Sequence, residues 1–295
     1  MPNETLMGAT VRLTSAMEAV AAIAAHVRVE SEGIDVEPRV RELLAAIVTE
    51  IVGELPALDD GSGAQTVGMV RALLRQAADL VDEPGRTGPW AHVDEALLQG
   101  MGRLSMAIAG AFRAAEGTLD GFGARLAAPG SAFLDVGTGT GWLAIATARA
   151  YPAARVAGID LFAPALDLAR RNVAAEGLED RVELQLLDVV DLDAKGVYDA
   201  IWLPMPFLPG DVVPGALAAS VRALRSGGWV LAGMFAAPPD RLSQLLLDLR
   251  TVRSGGHPWQ PEEIVEMIGR HGFDDVREVP RTWAAPVRLY AGRRP

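Results

Sequence analysis

The chain has 295 residues, half of them apolar, with 38 acidic against 27 basic side chains and a formal charge of −11. That is enough chain for a large core and too apolar for a disordered protein, and the acidic excess works against phosphate backbones, so small substrates are expected rather than DNA or RNA. There is no cysteine, which excludes disulfide scaffolds, thiolate metal sites and cysteine nucleophiles, and four scattered histidines leave little for a metal.

From the N-terminus the sequence carries an acid, Glu4, where a secretory leader would carry basic residues, and nowhere do 18 uncharged apolar residues follow one another. The expectation is a soluble, cytoplasmic protein with no membrane partner. Up to about residue 126 the apolar residues recur at three and four, as in 40–52, 67–81 and 93–112, the period of amphipathic helices. Gly, Pro and Asp interrupt the pattern at 31–38, 56–63 and 83–90, so four or five helices are expected. This stretch holds 10 basic and 18 acidic residues, supplying −8 of the net charge, and the acidic exterior reads as a solvated face. His26 belongs to one of these helices.

After residue 128 the pattern changes. Short apolar runs at 132–136, 155–160, 181–187, 198–203, 228–235, 274–279 and 286–292 alternate with helical segments, among them 163–177 and 261–272, the latter with Pro261 at its start and Gly272 at its end. Strands separated by helices imply right-handed crossovers and a parallel sheet covered on both faces. His271, at the end of the last such helix, suits a favourable charge at a helix carboxyl terminus. Two domains are expected: a helical lid or dimerisation domain at 1–128 and a doubly wound, Rossmann-like α/β domain at 129–295.

The chemistry begins at residues 133–150, FLDVGTGTGWLAIATARA. Gly137, Gly139 and Gly141 follow the first strand and precede a helix, the arrangement that lets a backbone approach a ligand at the helix N-terminus. Residues 139–144 also satisfy a dinucleotide fingerprint. Asp135, two residues before the first glycine, would repel a pyrophosphate and suit an ammonium group. Asp160 ends the second strand, 19 residues after Gly141, where a carboxylate can accept from both ribose hydroxyls. Asp188 follows the third strand, placed to accept from an adenine amino group. Together they describe a ligand with an amine, a ribose and an adenine, and without phosphate.

With these features in order, residues 130–292 resemble a class I S-adenosylmethionine-dependent methyltransferase: the D-V-G-T-G-T-G loop, the acid of G-I-D, the L-D after strand three, YDAIWLPMPF at strand four, LRSGGWVLAG into strand five and HGFDDV before strand six. The resemblance implies a mostly parallel seven-stranded sheet whose last strand is inserted antiparallel. It also implies S-adenosyl-L-methionine as cofactor. Asp135, Gly137, Gly139 and Gly141, with Thr138 and Thr140 between them, would hold the amino acid moiety, Asp160 and Leu161 the ribose, and Asp188 and Val189 the adenine. Leu203 and Pro204 would lie against the activated methyl.

Strand four departs from the nitrogen-directed members of the family. Amide and nucleobase N-methyltransferases carry N-P-P-Y or D-P-P-F there, whereas this chain has L-P-M-P-F at 203–207. An apolar mouth of Trp202, Met205 and Phe207 is expected, suited to a flat or greasy small molecule. Plant-type O-methyltransferases keep a histidine base in an H-x-W just after strand four; the match here, His257 to Trp259, comes after strand five. Displacement at a sulfonium can be driven by alignment and water exclusion with an optional base, which a phenol of unperturbed pKa near ~10 would use. His257 is the candidate, ahead of His92. The segment 89–105 resembles the helix that lines donor and acceptor pockets in small-molecule members, giving Trp90, Gln99 and Arg103 as acceptor contacts. The expected activity is O-methylation of a small, partly apolar acceptor of secondary metabolism, with a homodimer as the expected self-association and no metal. Transfer to nitrogen or carbon, a non-catalytic S-adenosylmethionine-binding module, and an NAD-dependent oxidoreductase are the alternatives.

Overall fold

The structure, a computed structural model, describes residues 4–54, 62–88, 94–236 and 240–295. It divides into two compact units, Met1–Pro84 with Gln99–Leu104, and Gly85–Leu98 with Ser105–Pro295. The sheet-bearing unit thus takes in residues 105–128, which the change of sequence pattern assigns to the helical half.

The first unit holds α1 (Leu6–Ser31), α2 (Pro38–Val52) and α3 (Ser62–Asp82). Thr5 caps α1 by accepting from the Gly8 N–H, and Pro38 occupies the first turn of α2, where its missing N–H costs nothing. Ala24, Val27, Val67 and Val70 form the small core, beside which His26 is also buried. Helix α3 meets residues 99–104 of α4 (Glu95–Ala115) through glycine: a Cβ on Gly68 would lie 2.9 Å from the Gly100 Cα. By length and mean hydropathy, 1.3 over its best window, α1 alone among the described helices is long and apolar enough to cross a membrane. Leu43, Ile47 and Ile51 of α2, one helical turn apart, are exposed.

The second unit is a seven-stranded sheet in the order β3-β2-β1-β4-β5-β7-β6, with β1 (Ala132–Val136), β2 (Arg155–Asp160), β3 (Val182–Leu186), β4 (Tyr198–Pro204), β5 (Leu224–Phe235), β6 (Asp274–Val279) and β7 (Val287–Arg293). The first five pair in parallel; β7 runs antiparallel between β5 and β6, as the resemblance implies. Strand β5 starts earlier than its apolar run suggests, because Leu224 already pairs with Tyr198 across an irregularity in the ladder and the S-G-G turn lies inside the strand.

Period-two alternation sends side chains to opposite faces. Phe133 and Trp202 join α5 (Phe122–Ala127), α6 (Trp142–Ala150) and Phe112 of α4 in one core, whereas Leu134, Ile201, Leu203 and Tyr290 pack against α8 (Val213–Ala223) and α10 (Pro261–Arg270) in the other. Helix α7 (Ala163–Ala175) follows β2, and α9 (Arg241–Arg253) follows β5. The chain leaves β1 toward β2 on one side and reaches β4 on the other, so β1 and β4 flank the topological switch point where ligands bind in such sheets.

Candidate active site

At the carboxyl end of β1 the backbone turns through three left-handed glycines, Gly137 (φ +65°), Gly139 (+55°) and Gly141 (+80°). Two are also closely packed: a Cβ on Gly137 would lie 3.1 Å from the Pro204 ring, and one on Gly141 would lie 3.1 Å from Ala169 of α7. The glycine loop and the end of β4 are therefore in close approach.

Asp135 is 1% exposed and accepts from the Thr138 hydroxyl at 2.8 Å. Burial pushes its carboxyl up to about 7, with the nearby Asp160 charge adding in the same direction. Asp160 is also raised by burial, against backbone hydrogen bonds that favour its charge. Its Oδ2 accepts from the Gly139 N–H at 2.7 Å and its Oδ1 from the Phe162 N–H at 2.8 Å. One carboxylate thus ties the loop after β1 to the loop after β2 and caps neither exclusively; each oxygen keeps a second lone pair for a hydroxyl. Leu161 is 68% exposed. Asp188 caps the single 3-10 turn Val189–Asp191 by accepting from the Val190 N–H at 3.0 Å, and Val189 is buried beneath it.

A contributor that the motif leaves out is Asn172. It is buried on α7 and donates to the Thr140 carbonyl at 2.8 Å, fixing the loop from the side. The only hint in the sequence is an amide on an otherwise apolar helix face. The Thr140 hydroxyl is buried and has no partner, leaving an unsatisfied polar atom within the glycine loop.

The acceptor end differs from expectation. Trp202 turns into the core, edge-on to Phe112 with centroids 5.4 Å apart and against Gly233, and Met205 is buried on the opposite face of the sheet. Of the three residues assigned to the mouth, only Phe207 is exposed, edge-on to Phe235 at 5.7 Å. The reason is the pleat: 202 and 203 must face opposite ways, and Leu203 is also fully buried. His257 is exposed, its ring 4.3 Å from that of Trp259. Although it lies far along the chain, the fold carries it to the exit of β4: a Cβ on Gly210 would sit 3.3 Å from the His257 Cβ, and Gly256 packs on the Pro206 carbonyl. His271 closes α10 through Nδ1, 2.7 Å from the Met267 carbonyl. Gln99 is half-buried and Arg103 exposed, both in the first unit; Trp90 and His92 lie outside the described residues.

The residues present fit S-adenosylmethionine: a glycine loop of close backbone approach, and two carboxylates that suit an ammonium group and ribose hydroxyls and would repel a pyrophosphate. Residues 133–228 match a protein family described as a methyltransferase domain. The release factor glutamine methyltransferase of Chlorobaculum tepidum is 42% identical over 95 residues, 29% of this chain and 32% of that protein. The chain spans between 18% and 38% of the length of the first curated relatives it matches. Among solved structures, an O-methyltransferase family protein from Burkholderia thailandensis superposes with a TM-score of 0.68 at 18% identity, covering 98% of both chains. Human N-acetylserotonin methyltransferase in complex with S-adenosylmethionine gives 0.68 at 15% identity, covering 100% of this chain and 99% of that one. Residues 133–228 thus match a methyltransferase domain, and the seven-stranded sheet around them has the fold of these solved methyltransferases.

Proposed function

We propose that the protein transfers a methyl group from S-adenosylmethionine to an oxygen of a small, partly apolar acceptor. The observation that carries the reading is the joint placement of Asp135, Asp160 and the three left-handed glycines at the switch point. When bound, S-adenosylmethionine supplies a methyl group activated by the positive charge on sulfur. Asp135 and the loop from Gly137 to Gly141, with Thr138 and Thr140, would hold its amino acid end, Asp160 and Leu161 the ribose, and Asp188 and Val189 the adenine. Leu203 contributes main chain rather than side chain, since its side chain is in the core.

The acceptor is read as a small molecule because full-length structural similarity is to proteins named as O-methyltransferases, and as an oxygen nucleophile because the exit of β4 carries L-P-M-P-F, with no polar side chain to orient a nitrogen. His257, beside that exit, is assigned as the base that takes the acceptor proton. The first unit is assigned as a self-association surface through Leu43, Ile47 and Ile51.

Calorimetry tests the donor half. S-adenosylhomocysteine is expected to bind and to raise the melting temperature, and NADH to leave it unchanged; the reverse pattern overturns the reading in favour of an oxidoreductase. For the acceptor half, His257→Ala is expected to lower kcat about 100-fold for a phenol while S-adenosylhomocysteine affinity stays the same. Equal activity of the variant and the parent across pH 6 to 9 removes His257 from the chemistry.

A further inference from the structure

Helix α9 turns a row of leucines to solvent. Leu242, Leu245, Leu246 and Leu249 are between 41% and 60% exposed, while Gln244, Leu247, Asp248 and Thr251, spaced by three and four, line a recess of about 100 Å3 that opens to solvent. Gln244, exposed, and Asp248, half-buried, thus bring an amide and a carboxylate to the edge of this recess. The facing wall is made by Met234 and Phe235 at the end of β5, by Arg288 and Tyr290 of β7, and by Trp259 ahead of α10. Gly233 is the register partner of Pro204, so Met234 and Phe235 lie just beyond the strand end that borders the glycine loop, and Phe235 touches Phe207.

The hydrogen-bonding groups of the recess specify what it can hold. The Trp259 Nε1–H is buried without a partner, and an indole nitrogen can only donate. The Tyr290 hydroxyl, pushed up to about 12 by burial, keeps its proton and donates as well. Asp248 Oδ1 accepts from the Gln244 amide at 2.8 Å, which leaves the other carboxylate oxygen to accept. The positive charge is already committed: Arg288 holds Glu278 through two bonds of 2.7 and 2.8 Å. An anion would therefore meet the Asp248 carboxylate, and a cation, although attracted to Asp248, would leave both donor hydrogens without an acceptor.

We propose that this recess binds the part of the acceptor that is not methylated, and that it takes an uncharged group with adjacent hydrogen-bond donor and acceptor, a hydroxy-ketone or a carboxamide, on a flat apolar frame. The role as acceptor site rests on the methyl-transfer reading; binding in the recess does not.

The Trp259 indole N–H reports occupancy directly. The protein has six tryptophans, and the cross-peak lost in Trp259→Phe identifies this one in a 1H–15N spectrum of the full chain. Titration with 2-hydroxyacetophenone or benzamide should move that peak saturably, and benzoate or benzylamine should leave it in place. Asp248→Asn, which preserves shape, should weaken both neutral probes about tenfold. Gln244→Leu, at an exposed position, should weaken them about threefold by releasing the carboxylate. A peak that no probe moves, that benzoate or benzylamine moves as readily as benzamide, or that Asp248→Asn leaves equally responsive overturns the proposal. Should S-adenosylhomocysteine fail to bind while the neutral probes still move the peak, the methyl-transfer reading falls and the recess remains; the converse result removes the recess alone.

Discussion

The two ends of the site are built differently. At the carboxyl ends of β1 and β2, position is set by the main chain: three left-handed glycines, one carboxylate holding two backbone N–H groups, and a buried amide holding a carbonyl. At the ends of β4 and β5 the contacts are made by side chains that reach solvent, Phe207 beside Phe235 and His257 beside Trp259. Backbone-built sites tolerate few residue types and hold one geometry, whereas side-chain-built sites can change occupants without disturbing the fold beneath. Donor recognition should therefore be brittle in this protein, and acceptor recognition adjustable.

The sharpest way to break this contrast is to place a β-branched side chain on the left-handed backbone of the loop. Gly141→Val should reduce S-adenosylhomocysteine affinity about 100-fold or more, because φ of +80° is strained for any β-branched residue and its Cβ meets α7 at 3.1 Å. Phe207→Ala, at the other end, should leave that affinity within about twofold. Isothermal titration of both variants checks the pair. Comparable losses would mean that the ends are not separable.

This asymmetry also explains what the sequence makes legible. Glycines and acids at fixed distances from strand ends are visible in one dimension because each is required by local backbone geometry, so the loop 137–141, Asp135 and Asp160 are readable from spacing alone. Strands β1, β2 and β6 likewise fall on their apolar runs to the residue. The acceptor end depends on which face of the pleat a side chain occupies and on which loops meet in space. Reading 202, 205 and 207 as one mouth ignores that Trp202 must face α4 and α5 while Leu203 faces α8. The H-x-W match looks misplaced along the chain because nothing local reveals that Gly256 packs on Pro206. Asn172 is hidden for the same reason: its partner, Thr140, is 32 residues away.

A second test uses the charge at the rigid end. Asp135 is raised to about 7 in the folded protein, above its unfolded value of ~3.9. Below both values the group is protonated in either state and has no effect. As pH rises between them the unfolded chain releases its proton first, so ionisation counts against folding by up to the order of 4 kcal/mol above pH 7. Without donor the melting temperature should therefore fall from pH 5 to pH 8, and Asp135→Asn should flatten the fall. A ligand bearing an ammonium group prefers the ionised carboxylate, so S-adenosylhomocysteine affinity should move the opposite way, rising about tenfold from pH 6 to pH 8, again abolished in the Asn variant. Parallel trends in stability and affinity would show that Asp135 does not face the ligand's amine.

The smallest effect distinguishes support from contact. Asn172 holds the glycine loop through the Thr140 carbonyl, so Asn172→Leu leaves a buried acceptor unpaired, at a cost of about 1–3 kcal/mol. That corresponds to a melting temperature lower by roughly 3–10 °C for a unit of this size. Affinity for S-adenosylhomocysteine should weaken about threefold to tenfold, and saturating ligand should recover most of the lost stability, because binding favours the one loop geometry that Asn172 would otherwise hold. If the rigid end were fixed by the glycines and Asp160 alone, the same substitution would lower the melting temperature and leave the affinity where it was.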